Sequence, residues 1–193
     1  QRISNNVNVE LTGFYTLFSN AIVKAPFKLN GQDSVIYNGV NSQVLASQNA
    51  NKATLYGFTF GINATIISGL TFNSTLSYTK GRFKTDNSKP SLVYEKQANG
   101  SYALINKNVS SKPLDHIPPV MGKTSIAFQH KKFNTEFYLL YNGWKYLDEY
   151  NADGEDNAQY ATADGMPAWL TANLKGSVNF TKNIQLQVGV ENI

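Results

Sequence analysis

The chain has 193 residues, of which 41% are hydrophobic, 12% aromatic and 16% charged, with a net charge of +4 and no cysteine. Charge this sparse beside so many aromatics disfavours disorder, and lysines scattered without a basic stripe exclude nucleic acid as the expected partner. The missing cysteine removes disulfides, thiolate metal sites and cysteine nucleophiles together, and no apolar run reaches the roughly 18 residues of a helical membrane span.

Strict alternation, not helical periodicity, organises the chain. Strands are predicted at 6–18, 53–66, 70–80, 118–130, 133–145, 166–180 and 184–192, several longer than soluble sheets use. In the first, Val7, Val9, Leu11, Tyr15 and Leu17 share one parity and Asn8, Glu10 and Thr12 the other. The second and third continue the oily parity with Tyr56, Phe58, Phe60, Ile62 and Ile66, then Leu70, Phe72, Leu76 and Tyr78, against a polar row of Thr71, Asn73, Thr75, Ser77 and Thr79. Val120, Ile126 and Phe128 oppose Lys123, Ser125 and Gln129 in the fourth, and Phe133, Phe137, Leu139 and Tyr141 oppose Asn134 and Glu136 in the fifth. The last two set Leu170, Leu174, Val178, Phe180, Ile184, Leu186, Val188 and Val190 against Thr171, Asn173, Lys175, Ser177, Gln185 and Gln187.

The connections alternate between short turns, at 68–69, 131–132 and 181–183, and long segments, at 19–52, 81–117 and 146–165, with "VIYNG" in the first long one predicting a small hairpin. Outer-membrane barrels segregate loop length in this way, with short periplasmic turns and long extracellular loops. On the oily face Tyr15, Tyr56, Tyr78 and Tyr141 fall beside the long loops, and Phe72, Phe128, Phe133 and Phe180 beside the short turns. Two aromatic bands suit two membrane boundaries, so the oily face is expected to look outward to lipid and the polar face into a hydrated lumen.

The stretches "DHIPPVMGKTSIAFQH", "GMPAWLTANLKGSVNFTKNIQLQVGVENI" and "NKATLYGFTFGINATIISGLTFNSTLSYTKG" resemble the barrel of TonB-dependent outer-membrane receptors: a Tyr-Gly-aromatic strand, a Gly-Leu turn, a returning Ser-Tyr-Thr strand, and a Gly-Val-Glu-Asn strand near the end. The resemblance implies an all-β, antiparallel up-and-down transmembrane barrel, of which residues 1–193 are a part, with the plug domain and the final strands absent and a full count of about 22 strands. It further implies a Gram-negative outer membrane, active uptake of a scarce nutrient (siderophore, cobalamin or glycan), and as partners membrane lipid and lipopolysaccharide, that ligand, and the TonB complex through the missing plug. One departure is that Gly57 is followed by Phe58 and Thr59 where family members often carry Glu two residues on. A passive porin-like or other outer-membrane barrel, and a soluble β-sandwich binding module, are the alternative readings.

No Ser-His-Asp order, Gly-rich phosphate loop or paired carboxylate stands out, so neither catalysis nor a cofactor is expected. The acidic stretch 148–156 sets Asp148, Glu149, Asp153, Glu155 and Asp156 around Gly154, but taking Gly154 as the sixth position of a calcium loop puts Tyr160 at the twelfth, where Glu is required. His116 and His130, the only histidines, have no orienting third group in register. Aromatics at the loop end are the candidate ligand-binding residues: Trp144, Tyr146, Tyr150 and Tyr160 at or beyond the rim, and Trp169 opening a strand on the luminal face. Lys80, Arg82, Lys84, Lys89 and Lys96 are candidates for attracting an anionic lipid or an anionic chelate.

Overall fold

The computed structural model describes residues 2–4, 6–152 and 160–193. Its long strands are β2 (Val7–Pro26), β5 (Leu45–Ile67), β6 (Leu70–Lys84), β10 (Met121–His130), β11 (Phe133–Asn142), β14 (Trp169–Asn179) and β15 (Gln185–Val190), preceded by a short β1 (Arg2–Ser4). They form one antiparallel sheet in the order β1-β2-β5-β6-β10-β11-β14-β15. The numbers skip because each long connection carries strands of its own. These are β3 (Ser34–Tyr37) with β4 (Val40–Gln43), β7 (Pro90–Lys96) with β8 (Tyr102–Asn108), and β12 (Lys145–Tyr146) with β13 (Gly165–Met166), while β9 (Ser111–Pro113) pairs with the upper end of β6. All seven expected strands exist, and so does the "VIYNG" hairpin, whose Asn38 and Gly39 take φ of 50° and 80°, the two positive values a two-residue primed turn needs.

Strand ends differ from expectation for local reasons. Pro118, Pro119 and Pro167 have no N–H to give a ladder, so β10 begins at Met121 and β14 at Trp169, and β11 stops at Asn142, before Trp144. In the other direction β2 and β5 stay paired from Val7↔Ala64 up to Pro26↔Leu45. Twenty residues at about 3.3 Å each, tilted by about 40°, overshoot the apolar band of about 25 Å by a wide margin. The upper half of this ladder therefore stands clear of the membrane.

The register joins the oily positions into continuous rows. Phe72, Ile126, Phe137 and Leu174 are consecutive cross-strand partners, as are Leu11, Phe60 and Leu76, and Val178 pairs with Phe133 on one side and Leu186 on the other. Among the described residues no second layer covers them: Leu11 is 70% exposed, Tyr15 69% and Val188 65%. Among the described residues, buried hydrophobic side chains are confined to Ala53, Phe83, Leu147 and Tyr150, all at the loop end. A sandwich would bury these rows between sheets, whereas a wall in lipid presents them outward. The tyrosine band forms physically too, Tyr15 stacking on Tyr56 at 6.4 Å and Phe58 lying 5.8 Å from Tyr78.

Ser74, Thr124 and Tyr141 carry hydroxyls on the outward face that satisfy one another. Ser74 Oγ lies 2.8 Å from Thr124 Oγ1, Thr124 lies 3.5 Å from the Tyr141 hydroxyl, and that hydroxyl donates to the Thr75 carbonyl at 3.2 Å. Tyr141 reaches across because Gly122 has no side chain; a Cβ there would sit 2.5 Å from the phenol oxygen. Hydroxyls paired in this way avoid the cost of an unsatisfied polar group in hydrocarbon.

Candidate ligand-binding rim

The rim grows out of the top of β11. Gly143 N–H donates to the Val120 carbonyl, turning the chain into β12, and β12 pairs with β13 through Lys145↔Met166 and Tyr146↔Gly165. Gly165 has φ 118°, and a Cβ there would lie 2.1 Å from the Lys145 carbonyl oxygen, so only glycine closes this ladder. A one-turn 3₁₀ helix, Leu147–Glu149, follows; the Glu149 carboxylate accepts from Tyr146 N–H at 3.0 Å. One carbonyl, that of Asp164, accepts from both Leu147 N–H (3.1 Å) and Trp144 Nε1 (3.4 Å), fastening the indole to the loop.

These constraints bring two of the five candidate aromatics together. Trp144 stacks on Tyr146 at 5.9 Å and 28°, and both are partly exposed. Lys96 on the β7–β8 hairpin reaches over, its ammonium 5.8 Å from the rings of both Tyr146 and Tyr102. Partial burial, then the carboxylate of Asp148, Tyr146, and the carboxylates of Asp164 and Glu149, push the Tyr102 phenol upward from its ordinary value. Tyr150 plays a different part: it is buried, with the Lys145 ammonium 4.2 Å from its ring centre, and holds the loop from beneath. Tyr160 projects into solvent, 80% exposed, and Trp169 pairs with Asn142 on the luminal parity. Tyr102 and Lys96 fall within the long segment 81–117 of the sequence, which does not link them to Trp144; only the fold of the hairpin onto the 3₁₀ helix does that.

Residues 153–159, which include Asp153, Gly154, Glu155 and Asp156 of the acidic stretch, lie outside the described residues. Among the described ones, no group of three or more His, Asp or Glu side chains is placed to hold a metal ion. His116 lies in the segment between β9 and β10, whereas His130 stacks on Phe128 at the short-turn end, so the wall separates them.

Below the rim the luminal face carries a second constellation. Glu136 bridges Lys123 (2.9 Å) and Lys175 (2.7 Å), and both ammonium groups approach the Tyr138 ring, at 4.5 and 5.5 Å. Beside it Asn134, Ser177, Gln187 and Gly189 border a concavity of about 410 Å³. Ser125 and Asn173 are buried on the same side, and Asn173 Oδ1 accepts from Asn192 N–H at 3.0 Å.

Lys112 on β9 is buried at the interior of the rim, in register with Phe83. Burial pushes its ammonium down to about 8, with Asp115 opposing the shift. The unfolded chain therefore holds this proton up to the ordinary lysine range while the folded rim releases it near 8, and stability contributed here rises with pH between about 8 and 10.5. Limited proteolysis of the full-length protein at pH 7.5 and 9.5 should show the 81–117 segment cut more slowly at the higher pH once protease activity is normalised, and Lys112→Met should abolish the difference.

Compared with known proteins, residues 3–193 match the family model described as TonB dependent receptor-like, beta-barrel. No match was found among curated protein sequences. Among solved structures, the chain superposes on the copper transporter OprC with a TM-score of 0.66 at 14% identity, covering 98% of this chain and 23% of that one. It also superposes on the ferric enterobactin receptor PfeA of Pseudomonas aeruginosa, in a double-mutant form, with a TM-score of 0.58 at 17% identity, covering 98% and 24%. The chain thus spans about a quarter of the length of the solved structures it matches, and likeness at this identity concerns the fold. With a family match over nearly every residue and a wall whose oily rows face outward, the chain belongs to the TonB-dependent receptor β-barrel family of the Gram-negative outer membrane.

Proposed function

We propose that this chain supplies barrel wall and extracellular loops to a receptor that actively takes up a scarce nutrient, a siderophore, cobalamin or glycan, through TonB. In this reading a plug domain and further barrel strands come from the rest of the receptor, and the TonB complex acts through that plug. One observation carries it most: seven strands share an uncovered oily face, closed by short turns at one end and by folded, aromatic-bearing loops at the other. Loops held on a rigid wall are where recognition resides. Trp144, Tyr146 and Tyr102, with Lys96 over two of the rings, are the ligand-facing group; Trp169 offers a second contact at the top of the lumen, Tyr160 an outer one, and Tyr150 supports the loop.

The test uses the full-length receptor in cells, with ferric enterobactin, cyanocobalamin and a maltooligosaccharide as probes. Uptake of one probe that stops when a protonophore is added is the expected result; uptake that persists is the passive-barrel reading. For the probe taken up, Trp144→Ala with Tyr146→Ala should weaken affinity about tenfold or more, as loss of a stacked aromatic pair at a binding centre does. Unchanged affinity would remove the rim from the site.

A further inference from the structure

The wall has a gap near the top of β6. That strand pairs with β10 as far as Ser77↔Met121 and with β9 from Arg82↔Pro113, while on its other side pairing with β5 continues unbroken from Phe58↔Tyr78 to Leu55↔Gly81. Opposite the interruption the chain runs Ile117–Pro118–Pro119–Val120, and neither proline has an N–H to give a ladder. Leu114 N–H crosses to the Gly81 carbonyl at 3.0 Å. Alternate residues of an antiparallel strand turn their backbone groups to the same side, so Thr79 also aims its N–H and C=O at the gap.

The gap is a cavity of about 160 Å³ whose far wall is the chain leaving β11. Gly143 N–H donates to the Val120 carbonyl and brings Trp144 and the 3₁₀ helix alongside. Most of the charged groups bordering the cavity are engaged. Arg82 donates to Ser111 Oγ (3.0 Å) and to the Ser111 carbonyl (2.9 Å), Glu149 accepts from Tyr146 N–H (3.0 Å), and the buried Lys145 holds its ammonium over Tyr150. Lys80 on the β6 side and Asp148 on the helix side remain. Among the described residues neither makes a hydrogen bond or an ion pair, and they do not pair with each other although they border the same space. Lys80 is half-buried, so its charge is only partly hydrated and a bound anion would stabilise it.

We infer that this gap is a binding site for a small zwitterion, a free α-amino acid, separate from the aromatic platform at the rim. The ligand carboxylate would take the Lys80 ammonium and the Thr79 N–H, its ammonium would take the Asp148 carboxylate and the Thr79 carbonyl, and its side chain would lie against Trp144 and the two prolines. Opposite charges on opposite walls select for both charges at once. A ligand with a carboxylate alone satisfies Lys80 but brings like charge toward Asp148, and an amine alone does the reverse. Size points the same way. Pockets for drug-sized ligands begin at about 300 Å³, so this one suits a solute smaller than the nutrient proposed for the rim.

The experiment is isothermal titration of the full-length receptor in detergent with L-valine, glycine, isovalerate (valine without its ammonium) and isobutylamine (valine without its carboxylate). L-valine should bind saturably at one site, and each single-charge analogue should bind about tenfold more weakly or worse, the loss expected when one charge-assisted contact is removed. This comparison needs no variant. Lys80→Gln and Asp148→Asn should each weaken valine binding by a similar factor, Lys80→Arg should retain it, and Lys96→Gln, on the rim platform but outside the cavity, should leave it unchanged. Absence of saturable binding by either amino acid at millimolar concentration overturns the proposal. So does isovalerate binding as tightly as valine, which would make the gap a plain anion site, and so does valine affinity that survives both Lys80→Gln and Asp148→Asn. None of these outcomes touches nutrient binding at Trp144 and Tyr146, so the two readings fail separately.

Discussion

Ile126→Arg should destabilise the assembled receptor by roughly 1 to 3 kcal/mol, while Ala127→Arg, its immediate neighbour, should cost less than about 1 kcal/mol. The two positions share a strand and a depth and differ only in face. Ile126 lies between Phe72 and Phe137 in an outward row, one row inward of Phe128, so an arginine there enters hydrocarbon on the short-turn side of the wall. Ala127 lies between Thr71 and Glu136 on the luminal side, where a guanidinium finds water and a carboxylate. Folding both variants into lipid vesicles and measuring urea unfolding decides the matter. If Ala127→Arg is the more damaging, the faces are reversed and the wall reading fails.

Gly57→Ala should cost about 1 to 3 kcal/mol and distort the wall locally, although the added methyl is small and would sit on the hydrated side. A Cβ at this position would meet the Tyr78 carbonyl oxygen at 2.0 Å, Phe14 Cζ at 2.8 Å and Thr79 Cα at 3.0 Å. Two of these are backbone atoms of β6 and cannot rotate away, so the β5–β6 ladder itself must give. The Phe14 ring occupies the space a side chain would fill, covering the glycine from the neighbouring strand. Gly61, on the same strand and face, is the control: its nearest neighbour would be Glu10 Cβ at 3.9 Å, so Gly61→Ala should be tolerated. Equal losses at both positions would show that backbone freedom, not close approach, is what Gly57 provides.

The wall was legible in the sequence because one physical variable, the face each side chain meets, changes with period two along every strand in lipid. Thr71, Asn73, Thr75, Ser77 and Thr79 needed no tertiary knowledge to be placed together, and register confirms that they share a face. The same logic explains what stayed hidden. Above the tyrosine row both faces of β2 and β5 meet water, so the sequence from Ser19 to Pro26 and from Leu45 to Lys52 loses its oily parity although the ladder continues. β9 is invisible for another reason: it is three residues long, and only its pairing with Arg82, Phe83 and Lys84 defines it. At the rim, Tyr150 and Tyr160 look equivalent as loop tyrosines. The buried Lys145 beneath one and open solvent around the other separate them, and that difference depends on how β12 and β13 close.

The alternation of short and long connections also sets an order for assembly. β5 with β6, β10 with β11, and β14 with β15 are joined by turns of a few residues, so each pair can zip from its turn with little chain to gather in. Joining these units requires closing the segments between β2 and β5, β6 and β10, and β11 and β14, and the entropy cost of a flexible loop grows with the logarithm of its length. The small hairpins lying inside the first two of those segments, β3–β4 and β7–β8, change that calculation. Each ties off part of its connection before the large strands meet, so the freely moving length left to close is shorter than the sequence suggests. Loops elaborated at the cell surface therefore act as folding aids for the wall beneath them, and replacing the β7–β8 hairpin by a flexible linker of equal length should slow the pairing of β6 with β10 even where the final barrel is unchanged.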